Sequence, residues 1–107
     1  MICEGSGKHI ITLTHLYVGE DLLVLITGGE EHIGGLSLLE NNSFTSISKK
    51  NHKDTVITKT IAPMIFDAVK KDVLVVCGIH LNDATKEDID IMAYNTKQCV
   101  KEFLKEI

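Results

Sequence analysis

Three of the five histidines in this chain stand beside turn-forming residues rather than inside apolar runs. His32 follows Gly28-Gly29-Glu30-Glu31, His52 lies within Lys49-Lys50-Asn51-His52-Lys53-Asp54, and His80 precedes Leu81-Asn82-Asp83. Imidazole ordinarily titrates near neutral pH. A neutral ring ligates a metal, and a protonated ring pairs with phosphate or carboxylate. Gathered together, His32, His52 and His80 could hold a divalent metal, with Glu31 or Asp54 as a base. Combined instead with Lys53 and the backbone at Thr27-Gly28-Gly29, they could cradle an anion or phosphate. The spacing matches no short metal motif, and plain solvated loop histidines are the alternative to both readings. Glu30 and Glu31 fit a solvated turn better than a catalytic pair. His9 and His15 read as surface residues of a strand.

Whether the three histidines meet depends on the elements between them. Residues 8–18 alternate polar and apolar side chains and predict a strand with one wet face. Residues 22–27 are apolar on both faces and predict a central strand, closed by Gly28-Gly29. Further strands are expected at 33–39 and 43–48. Ile57, Ile61, Ile65 and Ala68 recur at helical spacing, and Pro63 places the regular helix at about 61–70 after an irregular turn. The continuous apolar run 72–79 predicts a buried strand. Thr85 is a suitable N-cap, with Asp88 at the third helical position. Ile89, Met92, Thr96, Cys99, Phe103 and Ile107 then mark one face of a last helix.

The order β-β-β-β-α-β-α predicts a single-domain, two-layer α+β sandwich, a mainly antiparallel sheet with both helices on one face. An antiparallel meander followed by a crossover would run the second, fourth and fifth strands in one direction. Their trailing loops, which carry His32, His52 and His80, would then share one edge of the sheet. The N-terminal ends of both helices, with their unpaired N–H groups, would reach the same edge.

Composition narrows the function. Of 107 residues, 15 are acidic and 11 basic, with no basic cluster or aromatic ladder, which argues against nucleic-acid binding. No apolar run is long enough to span a bilayer, and the start MICEGSGKHI lacks a signal-peptide pattern, so a cytoplasmic protein is expected. Cys3, Cys77 and Cys99 are odd in number and form no C-x-x-C pair, which argues against a disulfide framework or a thiolate zinc site. Cys77 and Cys99 read as core residues.

Three segments resemble the LpdD-like prenylated flavin chaperone family, the small accessory subunits of gallate-type decarboxylases. ITGGEEHIGGLSL is similar to that family's T-G-G…H-I-G segment, NHKD to its H-K-D, and CGIHLNDATKEDI to its G-I-H segment followed by a threonine-started helix. They occur in the same order and, with the intervening helix, cover roughly residues 20–95. The resemblance implies a fold like that of the proteasome-assembly chaperones and a homodimer. It implies a non-catalytic accessory protein that binds prenylated FMN, or FMN, for a UbiD-type decarboxylase of aromatic acids. By the same resemblance the cofactor-binding positions are Thr27, Gly28, Gly29, His32, Gly34, His52, Lys53, Asp54, His80 and Thr85. Two other functions stand beside it: a metal-dependent enzyme using His32, His52 and His80, and an assembly chaperone acting only through protein surfaces. A visible spectrum and a metal analysis of the purified protein separate the three.

Overall fold

The computed structural model describes residues 1–41, 43–50 and 55–107. Among the described residues, six strands form one sheet: β1 (Ile2–Glu4), β2 (Ile11–Val18), β3 (Asp21–Gly29), β4 (Gly35–Glu40), β5 (Ser43–Ser48) and β6 (Val73–His80). The described residues also form two α-helices, α1 (Thr55–Val69) and α2 (Lys86–Glu106). A one-turn 3-10 helix, Gly7–His9, joins β1 to β2.

The strand order across the sheet is β1-β2-β3-β6-β4-β5. The expected meander is therefore broken. β6 inserts between β3 and β4, parallel to β3 and antiparallel to β4. The reason lies in hydrophobicity: Val73, Val75 and Cys77 are fully buried, and a strand so apolar is best placed where neighbours cover it on both sides. Strand direction nevertheless follows the expected rule. β3 and β6 are parallel, and β5 shares their direction because β4 is antiparallel to both β5 and β6.

Both helices lie on one face of this α+β sandwich. The register puts Ile11, Leu13, Val24, Ile26, Val75, Cys77 and Ser37 on that face, all fully buried. α1 covers β4 and β6, α2 covers β1 and β2, and the helices touch each other. Ile61 and Ile65 from α1, with Met92, Cys99, Val100 and Phe103 from α2, complete the core. Cys77 and Cys99 are buried as expected. Burial pushes the Cys99 thiol up to about 11, so it stays protonated, and its Sγ–H donates to the Ile11 carbonyl at 3.4 Å.

Local boundaries differ where propensity competes with packing. α1 starts at Thr55 and runs through Pro63, because one face of its first turns is held on the sheet. Thr58 is fully buried and its hydroxyl meets Ser37 Oγ at 2.6 Å, which in turn meets Ser46 Oγ at 2.7 Å. A buried chain of hydroxyls satisfied in this way ties β4, β5 and α1 together. The strand expected from residue 8 begins at Ile11, since Gly7, at φ 57°, starts a turn.

His9, expected to be a surface residue, is anchored. Its Nε2 lies 2.7 Å from Asp88 Oδ1, and Lys8 Nζ is 3.4 Å from the same oxygen. Asp88 also closes a capping box at the start of α2: its carboxylate accepts from the Thr85 backbone N–H, and its own N–H donates to Thr85 Oγ1, both at 3.0 Å. The Thr85 N–H first, then His9, Thr85 Oγ1 and Lys8, hold the Asp88 carboxyl well below the usual carboxylate range, outweighing the opposing effect of burial. A depressed carboxyl stabilises the fold fully above its unfolded value, 3.8, and progressively less as pH falls below it. Acid titration of stability should therefore show a loss beginning near pH 4 that is reduced in Asp88→Asn. Equal acid slopes for the two proteins in urea melts would contradict this.

Candidate functional site

The carboxyl ends of β3, β5 and β6 meet at one edge of the sheet, where the loop Glu30–Gly34 crosses from β3 over the end of β6 to reach β4. Backbone hydrogen bonds pin this crossing: Glu30 N–H donates to the His80 carbonyl at 2.8 Å, Gly34 N–H to Cys77 at 2.9 Å, and Lys49 N–H to Gly34 at 2.8 Å. Two glycines make it possible. Gly29 has φ 64°, and a Cβ there would overlap the His80 carbonyl oxygen. A Cβ on Gly78 would overlap the His32 carbonyl oxygen, so the loop lies directly on the β6 backbone.

The crossing brings His32 and His80 together. Their rings stand edge to face, with centroids 5.6 Å apart. His32 Nδ1–H donates to the Glu30 carbonyl at 3.0 Å. His80 Nε2 is 3.0 Å from Asn82 Oδ1, and Asn82 Nδ2–H donates to Glu30 Oε1 at 3.0 Å. Glu30, read from sequence as a solvated turn residue, and Asn82, not singled out at all, both belong to this cluster. The link between them spans 52 residues, and no local pattern announces it.

The other expected positions fall into four groups. Thr27, Gly28 and Gly29 line a cleft of about 270 Å³ at the end of β3, together with Lys8 and Glu31. Gly28 also faces the helices, where a Cβ would stand 2.6 Å from Ile11 Cδ1. Gly34 is buried and serves the loop as backbone. Thr85 is the N-cap of α2, with its hydroxyl engaged by Asp88. The Asp88 carboxylate thus already fills the N-terminal end of α2 that was expected to stand open to an anion. His52, Lys53 and Asp54 lie outside the described residues. Among the described residues no group of three His, Cys, Asp or Glu side chains is close enough to hold a metal ion. Nor, among them, is any helix long and apolar enough to cross a membrane.

Residues 5–107 match the family model of the prenylated flavin chaperone LpdD-like domain. The chain belongs to this family. An LpdD-like relative, protein LpdD of Lactiplantibacillus plantarum (strain ATCC BAA-793 / NCIMB 8826 / WCFS1), is 31% identical over 108 residues, covering 94% of this chain and 79% of the relative. The LpdD-like fold is also seen in a crystal structure of a chaperone complex for yeast 20S proteasome assembly. One chain of it superposes with a TM-score of 0.63 at 10% identity, covering 98% of this chain and 94% of that one. At such identity the likeness concerns the fold, which is the proteasome-assembly-chaperone-like sandwich expected from sequence.

Proposed function

We propose that this chain is a non-catalytic accessory protein, one LpdD-like domain acting as a cytoplasmic homodimer, that binds prenylated FMN for a UbiD-type aromatic-acid decarboxylase. The observation that carries the reading is the His32–His80 pair set beside the Thr27–Gly29 cleft at the carboxyl ends of two parallel neighbours, β3 and β6. Ligands of open sheets with parallel strands gather at such ends. The residues suit a flavin phosphate: two imidazoles and the Lys8 ammonium can donate to it, and the glycines let backbone approach closely. His52, Lys53 and Asp54 belong to the same proposal, since they follow β5 and lead into α1. Bound there, the cofactor would be held and protected, with the decarboxylation chemistry left to the partner enzyme.

The test is a fluorescence titration of the purified protein with prenylated FMN and with FMN. Replacing His32 and His80 together by alanine should weaken binding by at least about tenfold, because hydrogen bonds to a charged group are each worth roughly 1.5–3 kcal/mol. Circular dichroism should stay unchanged. Equal affinity of variant and parent, or no binding by the parent, would remove the flavin reading. Metal analysis of the same preparation addresses the reading in which His32, His52 and His80 are ligands.

A further inference from the structure

The hydrogen bonds that run from Glu30 through Asn82 to His80 have a direction fixed by the chemistry of their members. Glu30 Oε1 belongs to a carboxylate, which only accepts. The Asn82 amide therefore turns its Nδ2–H to Glu30 and its Oδ1 to His80 Nε2, both at 3.0 Å. An amide oxygen only accepts as well, so His80 Nε2 carries a proton. The two nitrogens of an imidazole point in divergent directions, and Nδ1 is thereby aimed away from Asn82.

Backbone holds the three side chains in place. Glu30 N–H donates to the His80 carbonyl at 2.8 Å, and Gly29 stands opposite His80 in the parallel register of β3 and β6. Leu81 packs against the core, while its neighbours His80 and Asn82 are turned out to the surface. Glu30 and Asn82 are both exposed, so water would satisfy their polar groups, and the fold gains little from the bonds between them. What those bonds do is fix the ring.

We propose that Glu30 and Asn82 are positioning residues of the flavin site: they grip the His80 ring at Nε2 and leave Nδ1 to meet the flavin phosphate. The proposal rests on the flavin reading above and adds two residues to it. A phosphate oxygen accepts, so the ring that meets it donates from both nitrogens, to Asn82 from Nε2 and to phosphate from Nδ1. That ring carries a positive charge, which the Glu30 carboxylate offsets at the far end of the relay. A ring already gripped loses little rotational freedom when the ligand arrives, and this is where an anchored donor gains over a free one. Because the contact is to phosphate, the relay favours FMN over riboflavin, which has the same ring and ribityl chain without the phosphate.

Fluorescence titration of the intact chain with FMN and with riboflavin tests this. The parent should bind FMN more tightly than riboflavin. Asn82→Ala releases the ring and should weaken FMN by about fivefold or more, with riboflavin unchanged. Asn82→Asp confronts the Glu30 carboxylate with a second one and should weaken FMN as well. Adding Glu30→Gln to Asn82→Asp rebuilds the relay with its roles exchanged. The new amide donates to the new carboxylate, which accepts from His80 Nε2, and the net charge is that of the parent. This double variant should recover FMN affinity to within about twofold of the parent. Circular dichroism should stay the same throughout, since the replaced side chains are exposed. Equal FMN affinity for Asn82→Ala and the parent would overturn the relay and leave the flavin reading standing, as would a double variant no better than Asn82→Asp alone. Equal losses for FMN and riboflavin would overturn the contact between Nδ1 and phosphate. A parent without preference for FMN would overturn that contact too, and one that binds neither FMN nor prenylated FMN would overturn the flavin reading with it.

Discussion

Gly78→Ala should dislodge the His32 loop and destabilise the whole molecule. The position is buried, and the added methyl would overlap the carbonyl oxygen of His32 while lying 2.5 Å from its carbonyl carbon. Backbone cannot step aside as a flexible side chain can. The loop is held on either side by the Glu30–His80 and Gly34–Cys77 hydrogen bonds, so displacement breaks those as well. Overpacking of this kind costs about 1–3 kcal/mol, and the lost hydrogen bonds raise the total to roughly 3–5 kcal/mol. A melting temperature lowered by at least about 10 °C is expected. Flavin affinity should fall with it, because His32 leaves His80. An unchanged melting temperature would mean that the loop can lift from β6 at little cost, and that nothing in the crossing requires a glycine at position 78.

Phe103→Ala should produce an effect of similar size through the opposite defect. Phe103 is the largest fully buried side chain, at the point where α2 crosses β2. Its ring lies 4.9 Å from that of His15. Removing it leaves a cavity that the surrounding strand and helix cannot close, at a cost of about 3–5 kcal/mol. Against a total stability of about 5–15 kcal/mol, that is a large share. The urea midpoint should fall with little change in slope, and the His32–His80 cluster, at the far edge, should keep its affinity for FMN below the transition. A loss under about 1 kcal/mol would indicate that α2 repacks, and would contradict the close packing described.

How much was legible in the sequence depended on the range of the interaction. Alternation and apolar runs located the strands β2 to β6, and Ser43–Ser48 coincided with expectation. The capping box at Thr85 and Asp88 is likewise a local pattern. Strand direction, which follows from simple alternation of connections, was also readable, and it placed His32 and His80 at one edge. Neighbour order was not readable. The run from Val73 to Ile79 states that β6 is buried but not between which strands, because that choice is made by the summed fit of both faces. β1 was missed since three residues carry no period. The His9–Asp88 pair joins residues 79 positions apart, and only the folded chain brings them into contact. The Pro63 signal was overweighted: a proline forfeits one hydrogen bond, whereas packing of Ile61 and Ile65 holds the turns on both sides of it.

The central position of β6 has a consequence for the order in which the molecule can be built. Ribosomes deliver β2 and β3, then β4 and β5, as two hairpins, each with a bare edge that belongs to a strand not yet made. The slot between β3 and β4 can be filled only after residues 73–80 have emerged. Until then both edges present unpaired N–H and C=O groups flanked by aliphatic side chains, the kind of template on which nascent chains misassociate. Completion of the sheet is therefore a late, long-range event during synthesis.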